Sequence, residues 1–394
     1  MRLNLLLPSV EPDVYQEPKV CPYSGCGGKH FHLRQEVRKP IRDTVLHEVV
    51  ARRYDCLRCG RTFRVYPEGV NEDQTSARLK GLAVMFYILG LSYGAVALVL
   101  LALGSALSKT AVYDAVQAAG ERVAGLRRED VHLSLVQGVI AALGVDLTTV
   151  KCKGKAVSVG VSVDAAAGTV LSVDILHSAE TETLSAWVHE VAQAVGAEVL
   201  VSDDADSFKT VADENGLEHQ VCKAHVLRST QAWVEEIQPK LANDADGSLQ
   251  AIGVTPAQAL ADCNELLRLI RERQPGPQAE AKLQEIHLRY IQAPSPRELH
   301  QDQATLAYRL RLFSLDRWNL WHSLTLYRRW RGSDGTLLDG TNNACERAIG
   351  WWIKERYRSM RGYKRIPSIL NVSRLIVWAG NQLRNGADLA SIIA

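Results

Sequence analysis

Leu143-Gly144-Val145-Asp146-Leu147-Thr148-Thr149-Val150 runs through Lys151-Cys152-Lys153-Gly154-Lys155 into Ala156-Val157-Ser158-Val159-Gly160-Val161-Ser162-Val163-Asp164. The first piece closes an apolar run that starts at Val139 and holds one acid, Asp146. The last piece alternates apolar and small polar residues with a period of two, the pattern of a strand. Gly168 turns the chain into a second alternating run over 169–176, so the two runs make a hairpin. Residues 182–195 keep helical spacing. A short apolar run over 197–201 leads directly into Ser202-Asp203-Asp204. Residues 208–215 read as a helix and 218–222 as another strand. Strands followed by strand–helix–strand predict a mixed α/β sheet over 139–225.

Outward from this core the pattern changes. Residues 1–70 carry two cysteine pairs. Val45, Val49 and Tyr54 read as strand positions before the second pair, and 61–66 reads as the strand after it. Residues 72–130 read as three helices, about 75–89, 92–103 and one capped by Ser108. The third repeats apolar residues at Ala111, Val112, Ala115, Val116 and Ala119, and the set predicts a helix-turn-helix. Residues 226–335 show no strand pattern. Pro239, Pro256, Pro275, Pro277, Pro294 and Pro296 cut this stretch into helices, which predicts an all-helical insertion. Residues 336–394 return to helix, over 344–354 and 366–383.

Composition sets bounds. With 394 residues and 46% apolar residues the chain can bury a sizeable core. Its 46 basic and 44 acidic residues leave a formal charge of +2, so net charge alone does not point to nucleic acid. The apolar start is too short for a signal-peptide core. Residues 81–108 carry no charge and are long enough for a membrane span. Ser92-Tyr93-Gly94 and Gly104-Ser105 interrupt them, and buried helices are the expectation; no membrane partner follows. Four of the eight cysteines fall in two close pairs, which fits metal binding in a reducing compartment.

Three acids carry the chemical reading. Asp146 and Asp203 stand at strand positions of the sheet, and Glu346 stands early in a helix. Each acid alone reads equally as a turn or first-turn helix residue. Together they can meet at one point, and phosphoryl transfer on DNA uses such a carboxylate cluster to hold two Mg²⁺ ions.

The flanking words carry a resemblance. Gly144 to Lys155 resembles the first-Asp block of bacterial insertion-sequence DDE transposases. Val201-Ser202-Asp203-Asp204-Ala205-Asp206-Ser207-Phe208 resembles the second-Asp block. His219 to Arg228 resembles a Q-x-C-x-x-H-x-x-R stretch found notably in mutator-like families. Thr341 to Arg347, with Ile353 to Tyr363, resembles the T-N-N-x-x-E-R block around the family's Glu. The four blocks occur in order over about 140–375. The resemblance implies an RNase H-like mixed sheet with a helical insertion, two Mg²⁺ or Mn²⁺ ions, and Asp146, Asp203 and Glu346 as the catalytic and metal-holding residues. It implies Cys222, His225, Asn342, Asn343 and Arg347 as supporting residues. Residue 147 is Leu where many relatives carry an acid, and Asp204 competes with Asp203; Asp203 is favoured because it directly follows the strand's serine.

Cys21-x4-Cys26 and Cys56-x2-Cys59 make two knuckles of the kind that hold one structural Zn²⁺, with His30 and His32 as substitute ligands. Such a ribbon before a helix-turn-helix predicts a DNA-binding head. Cys222 and His225 form a C-x-x-H pair. It reads either as metal-binding or, the favoured reading, as a buried cysteine with a histidine that braces the site. Lys109, Thr110 and Tyr113 are expected to face DNA from the third helix. Lys354, Arg356, Arg358, Arg361, Lys364 and Arg365 are expected on phosphate, with Trp351, Trp352, Tyr357 and Tyr363 interleaved. Arg309, Arg311, Arg317, Arg328, Arg329 and Arg331 repeat the pattern among Trp318, Trp321 and Trp330, which read as core or as stacking platforms.

The sequence thus predicts a DDE transposase that cleaves and joins DNA at transposon ends. The resemblance implies terminal inverted repeats and target DNA as partners, a homodimer or larger assembly on DNA, and a bacterial cytoplasmic, nucleoid-associated location. The competing readings are an inactive zinc-ribbon and helix-turn-helix regulator, and a plain nuclease.

Overall fold

The structure is a computed structural model, and it describes residues 5–123, 125–128, 140–272, 276, 278–300, 302–332, 335, 337–360, 362–382 and 387–393. Three sheet pieces build the N-terminal part. β1 (Leu5–Leu6) is parallel to a short strand near the C-terminus, and β2 (Glu11–Tyr15) pairs with β6 (Pro67–Glu68). Between them β3 (Phe31–Pro40), β4 (Glu48–Cys56) and β5 (Thr62–Val65) form an antiparallel sheet in the order β3-β4-β5. Val49 and Tyr54 lie in β4, as the pattern predicts. Val45 does not; it sits in the β3–β4 connection and is 68% exposed. β3 went unread because almost all its residues face solvent, so no period-two apolar signal exists.

Helices α1 (Ala77–Ile88), α2 (Tyr93–Ala102) and α3 (Lys109–Arg122) follow. Each starts on a serine whose side chain accepts an N–H of the first turn: Ser76 from Leu79, Ser92 from Ala95 and Ser108 from Ala111. These caps fix the three starts that the sequence marks. The three helices, expected as a helix-turn-helix, pack onto the rest of the chain. Leu79, Tyr87, Val112 and Val116 share one core with sheet residues Val159 and Val161 and with Val372 and Ile376 of the last long helix. Gly120 of α3 marks the closest approach: a Cβ there would lie 2.2 Å from the carbonyl oxygen of Asn371.

The central sheet has the order β11-β10-β7-β8-β9. Its strands are β7 (Ala142–Cys152), β8 (Lys155–Asp164), β9 (Val170–Leu176), β10 (Val199–Ser202) and β11 (Glu218–Val221). β7, β8 and β9 are antiparallel, while β10 runs parallel to β7 and β11 parallel to β10. Lys153 and Gly154, both at positive φ, close the β7–β8 hairpin. One face carries α4 (Thr181–Val195) and α5 (Asp206–Glu214), through Trp187, Val188, Phe208 and Val211. Three antiparallel strands followed by two parallel ones, with helices on both faces, are an RNase H-like mixed α/β sheet.

Among its described residues the insertion holds helices joined by turns, and no strand: α6 (Lys223–Leu241), α7 (Ser248–Ala251), α8 (Pro256–Arg271), α9 (Ala279–Tyr290), α10 (Leu306–Leu324) and α11 (Leu326–Arg329). It has its own core around Ile237, Leu241, Leu266, Leu283 and Tyr290. Pro256 opens α8 as a first-turn proline should, but Pro239, expected to divide helices, lies inside the last turn of α6. Trp321 and Trp330 are buried, which favours the core reading of these tryptophans. After the insertion come α12 (Asn343–Ala348), a π-helical turn (Ile349–Lys354), α13 (Glu355–Met360) and α14 (Ile366–Gln382). The single helix expected over 344–354 is thus an α-to-π junction. Among the described residues no helix is long and apolar enough to cross a membrane.

Candidate functional site

Register puts two of the acids side by side. β10 and β7 pair at Val199↔Ala142, Leu200↔Leu143 and Val201↔Gly144. Asp203 lies two residues past Val201, and Asp146 two residues past Gly144, so the two acids leave neighbouring parallel strands at the same level. Asp146 is half-buried, and one of its carboxylate oxygens accepts the Leu147 N–H at 2.7 Å. Burial pushes its carboxyl above the ordinary value. The charges of Asp203 and Glu346 push it the same way, against the Leu147 N–H and His225. Asp203 is held by the Ala205 N–H at 3.1 Å. Asp204 acts on the buried Arg317 instead, whose main perturbation is burial itself.

Glu346 arrives on α12, which is tied to the sheet from below. Asn342, just ahead of that helix, is 1% exposed. Its side-chain N–H donates to the Val145 carbonyl at 2.7 Å, and its backbone N–H donates to Cys222 Sγ at 3.2 Å. Cys345 Sγ lies 3.4 Å from the Val161 carbonyl of β8. Thus Asn342 links β7 beside Asp146, the start of α6 and the Glu346 helix. Glu346 Oε1 lies 3.3 Å from His225 Nδ1 and 3.4 Å from Arg228. Of the supporting residues, Cys222, His225 and Asn342 join the site. Asn343 and Arg347 are exposed, and Arg347 Nε donates to the Asn343 carbonyl.

Arg228 was not singled out as a site residue; it lies one helical turn beyond His225, and that spacing is the signal that finds it. Gln220 of the same motif is structural. Its amide reaches the Leu324 carbonyl at 3.2 Å and its oxygen accepts the Tyr327 N–H at 2.7 Å, binding β11 to the insertion.

The donor set fits hard divalent ions. The charges of Asp203 and Glu346 both act on a half-buried Asp146, a like-charge arrangement that a cation relieves.

Cys21, Cys26, Cys56 and Cys59 converge with all four sulfurs within 4.8 Å of one another. Cys21–Cys59 and Cys26–Cys56 are separated by 3.9 and 3.7 Å, far beyond a disulfide bond. Zn–S bonds of about 2.3 Å in a tetrahedron give sulfur–sulfur edges of about 3.8 Å. The N–H of Cys59 and burial act in opposite senses on Cys56, and the net effect holds its thiol down to about 7. His30 and His32 lie outside this cluster.

The expected DNA contacts divide. Lys109 and Thr110 are exposed at the start of α3, beside a groove of about 550 Å³ lined also by Arg42 and His47. Tyr113 is turned inward: its hydroxyl meets Ser368 Oγ at 2.9 Å and its ring packs edge-on against Tyr93. Lys354, Arg358, Lys364 and Arg365 are exposed, and Trp351 is 73% exposed among them. Arg356 is not a surface residue; it is 6% exposed and stacks on Tyr87. Arg361 lies outside the described residues. In the insertion Arg317 is buried on Thr230 and Ser229, while Arg309 and Arg311 bond Glu236 and the Ala293 carbonyl.

The RNase H-like sheet carries Asp146 and Asp203 at one level of two neighbouring strands, with Glu346 on a later helix. The family model described as the IS66 transposase family matches residues 81–359, and the chain belongs to that family. Among solved structures it is similar to a Drosophila P element transposase strand transfer complex, with 10% identity, a TM-score of 0.39, and coverage of 80% of this chain and 93% of that one. No curated protein matches it.

Proposed function

We propose that this transposase cuts DNA at transposon ends and joins the freed 3′-hydroxyl to target DNA, using Asp146, Asp203 and Glu346. The observation that carries the reading is the level placement of Asp146 and Asp203 on paired strands, with Glu346 electrostatically coupled to Asp146. Two ions of the magnesium or manganese type, when bound, would supply charge neutralisation at the transferring phosphoryl group and an activated water. The protein's part is geometric. Asp146 and Asp203 hold their carboxylates on a rigid sheet, and Asn342 fixes the third carboxylate's helix to the same strand. His225 and Arg228 face Glu346 and set its orientation.

Zinc at the four cysteines would hold the N-terminal sheet as a DNA-binding head. Lys109 and Thr110 would read the end sequence, and Lys354, Arg358, Lys364 and Arg365 would hold phosphate. Trp351 offers a stacking face beside them. Bringing two ends together calls for a dimer or larger assembly on DNA. Incubation with a duplex carrying the element's end, in Mg²⁺, tests the reading. Nicking and joining to a second duplex are expected. Binding without nicking would leave a regulator, and nicking without joining a nuclease.

A further inference from the structure

Cys222, His225 and Glu346 each offer a ligand atom, and the three atoms lie within 4.8 Å of one another. Cys222 follows β11 and is the N-cap of α6; His225 comes one turn later; Glu346 comes from α12, more than a hundred residues on. The Cys222 sulfur is fully buried and is met by backbone N–H groups, that of Asn342 at 3.2 Å and those of Ala224 and His225. Such bonds suit a thiolate ligand. His225 Nδ1 is shut off from solvent, makes no hydrogen bond among the described residues, and lies 3.3 Å from Glu346 Oε1. One sulfur, one imidazole nitrogen and one carboxylate oxygen are the donor types that borderline and soft ions prefer over magnesium. Arg228, whose side chain is 63% exposed, lies 3.4 Å from the same carboxylate oxygen.

We propose that Cys222, His225 and Glu346 form a second soft-metal site, selective for zinc-like ions, that competes with the hard-metal centre for Glu346. The site stands on its own donor set. The competition rests on the proposed role of Glu346 in DNA cleavage. Zinc-like ions would therefore inhibit the enzyme by removing one carboxylate from the magnesium site.

The test counts metal in the full chain without DNA, so it stays separate from any failure of the cleavage reading. Zinc or Co²⁺ alone is added to metal-free protein and competed with a chelator. Two ions per chain are expected, one at the N-terminal sulfurs. In Cys222→Ser the second should weaken by at least about a hundredfold, since even outer-shell changes cost 10- to 100-fold. His225→Ala, at a partly exposed position, should do the same if Cys222→Ser fails to fold. A single ion in the native chain, or two ions retained in either folded variant, would overturn the site. Magnesium-dependent nicking should fall as zinc fills the second site; unchanged nicking at full occupancy would overturn the competition.

Discussion

The guanidinium of Arg356 lies 3.8 Å above the ring of Tyr87 and donates to the Leu91 carbonyl at 2.8 Å. Tyr87 ends α1 and Leu91 opens the turn to α2, while Arg356 stands ten residues after Glu346. This contact, with Tyr113–Ser368 and Asn371–Gln117, binds the helices expected to read DNA to the segment that carries the third acid. The ring and the carbonyl compensate part of the burial of the cation, whose Nε has no hydrogen-bond partner among the described residues, and its removal leaves both unfilled.

Arg356→Met should therefore cost roughly 2–4 kcal/mol of stability, from a desolvated cation–π contact plus a charge-assisted hydrogen bond. Arg356→Lys should recover less than half, because an ammonium cannot both stack flat and reach Leu91. Thermal unfolding of the two variants measures this. A loss in DNA affinity with unchanged melting would return Arg356 to the DNA surface.

The cysteine head gives a second outcome. A Cβ at Gly28 would lie 2.7 Å from Cys56 Sγ, so Gly28→Ala should displace a ligand and weaken zinc binding without touching a cysteine. Zinc removal from the native chain should unfold the three-stranded sheet, since structural zinc supplies folding energy to such units. Metal analysis and far-ultraviolet circular dichroism under chelation check both effects. Full zinc retention in Gly28→Ala would contradict the tetrahedral cluster.

What the sequence made legible follows from how strongly each residue's role constrains its neighbours. Strands β8 and β9 alternate because Val159, Val161 and Val173 enter the core shared with α14 while Gly160 and Asp174 on the other face meet Trp187, and Ser108 marks one helix start as a cap. β3 was invisible because its residues are exposed on both faces, and the π turn after Glu346 because its spacing differs from 3.6 by less than the pattern resolves. Arg356 and Tyr113 were read as surface residues because basic and aromatic side chains look alike in sequence whether they meet phosphate or another helix. The pairing level of Asp146 and Asp203 needed a strand register, which no local pattern carries.

Asp146 sets a pH dependence. Its carboxyl is raised above the ordinary value of 3.8, chiefly by burial. A folded pKa above the unfolded one means the protonated form is favoured on folding. That contribution is full below the unfolded value and is lost as pH rises through the folded value. Asp146→Asn should accordingly stabilise the metal-free protein at neutral pH and give no such gain at strongly acidic pH. In the native chain, Mn²⁺ affinity should begin to fall on acidification at a higher pH than for an exposed aspartate, because the ion needs the ionised form. Denaturant titrations at several pH values and Mn²⁺ binding curves decide it; stability of Asp146→Asn equal to that of the native chain at neutral pH would count against a strained carboxylate.

The sharpest outcome separates Asp203 from its neighbour. Both follow β10, but Asp203 stands level with Asp146 and adds to its charge, while Asp204 acts on Arg317 inside the α6–α10 packing. Asp203→Asn removes a charge from the metal cluster and should lower strand cleavage by more than about a hundredfold, beyond the typical outer-shell cost. Asp146→Asn and Glu346→Gln should do the same, and DNA-end binding should persist in all three because the reading surface lies on other side chains. Asp204→Asn should keep most of the cleavage rate, yet lose some stability, since Arg317 is left buried with Asp316 as its remaining acidic partner. Cleavage kinetics on one end duplex, with melting curves for the same proteins, decide the matter. An active Asp203→Asn beside an inactive Asp204→Asn would shift the second ligand by one residue, and an active Asp146→Asn or Glu346→Gln would end the three-carboxylate mechanism.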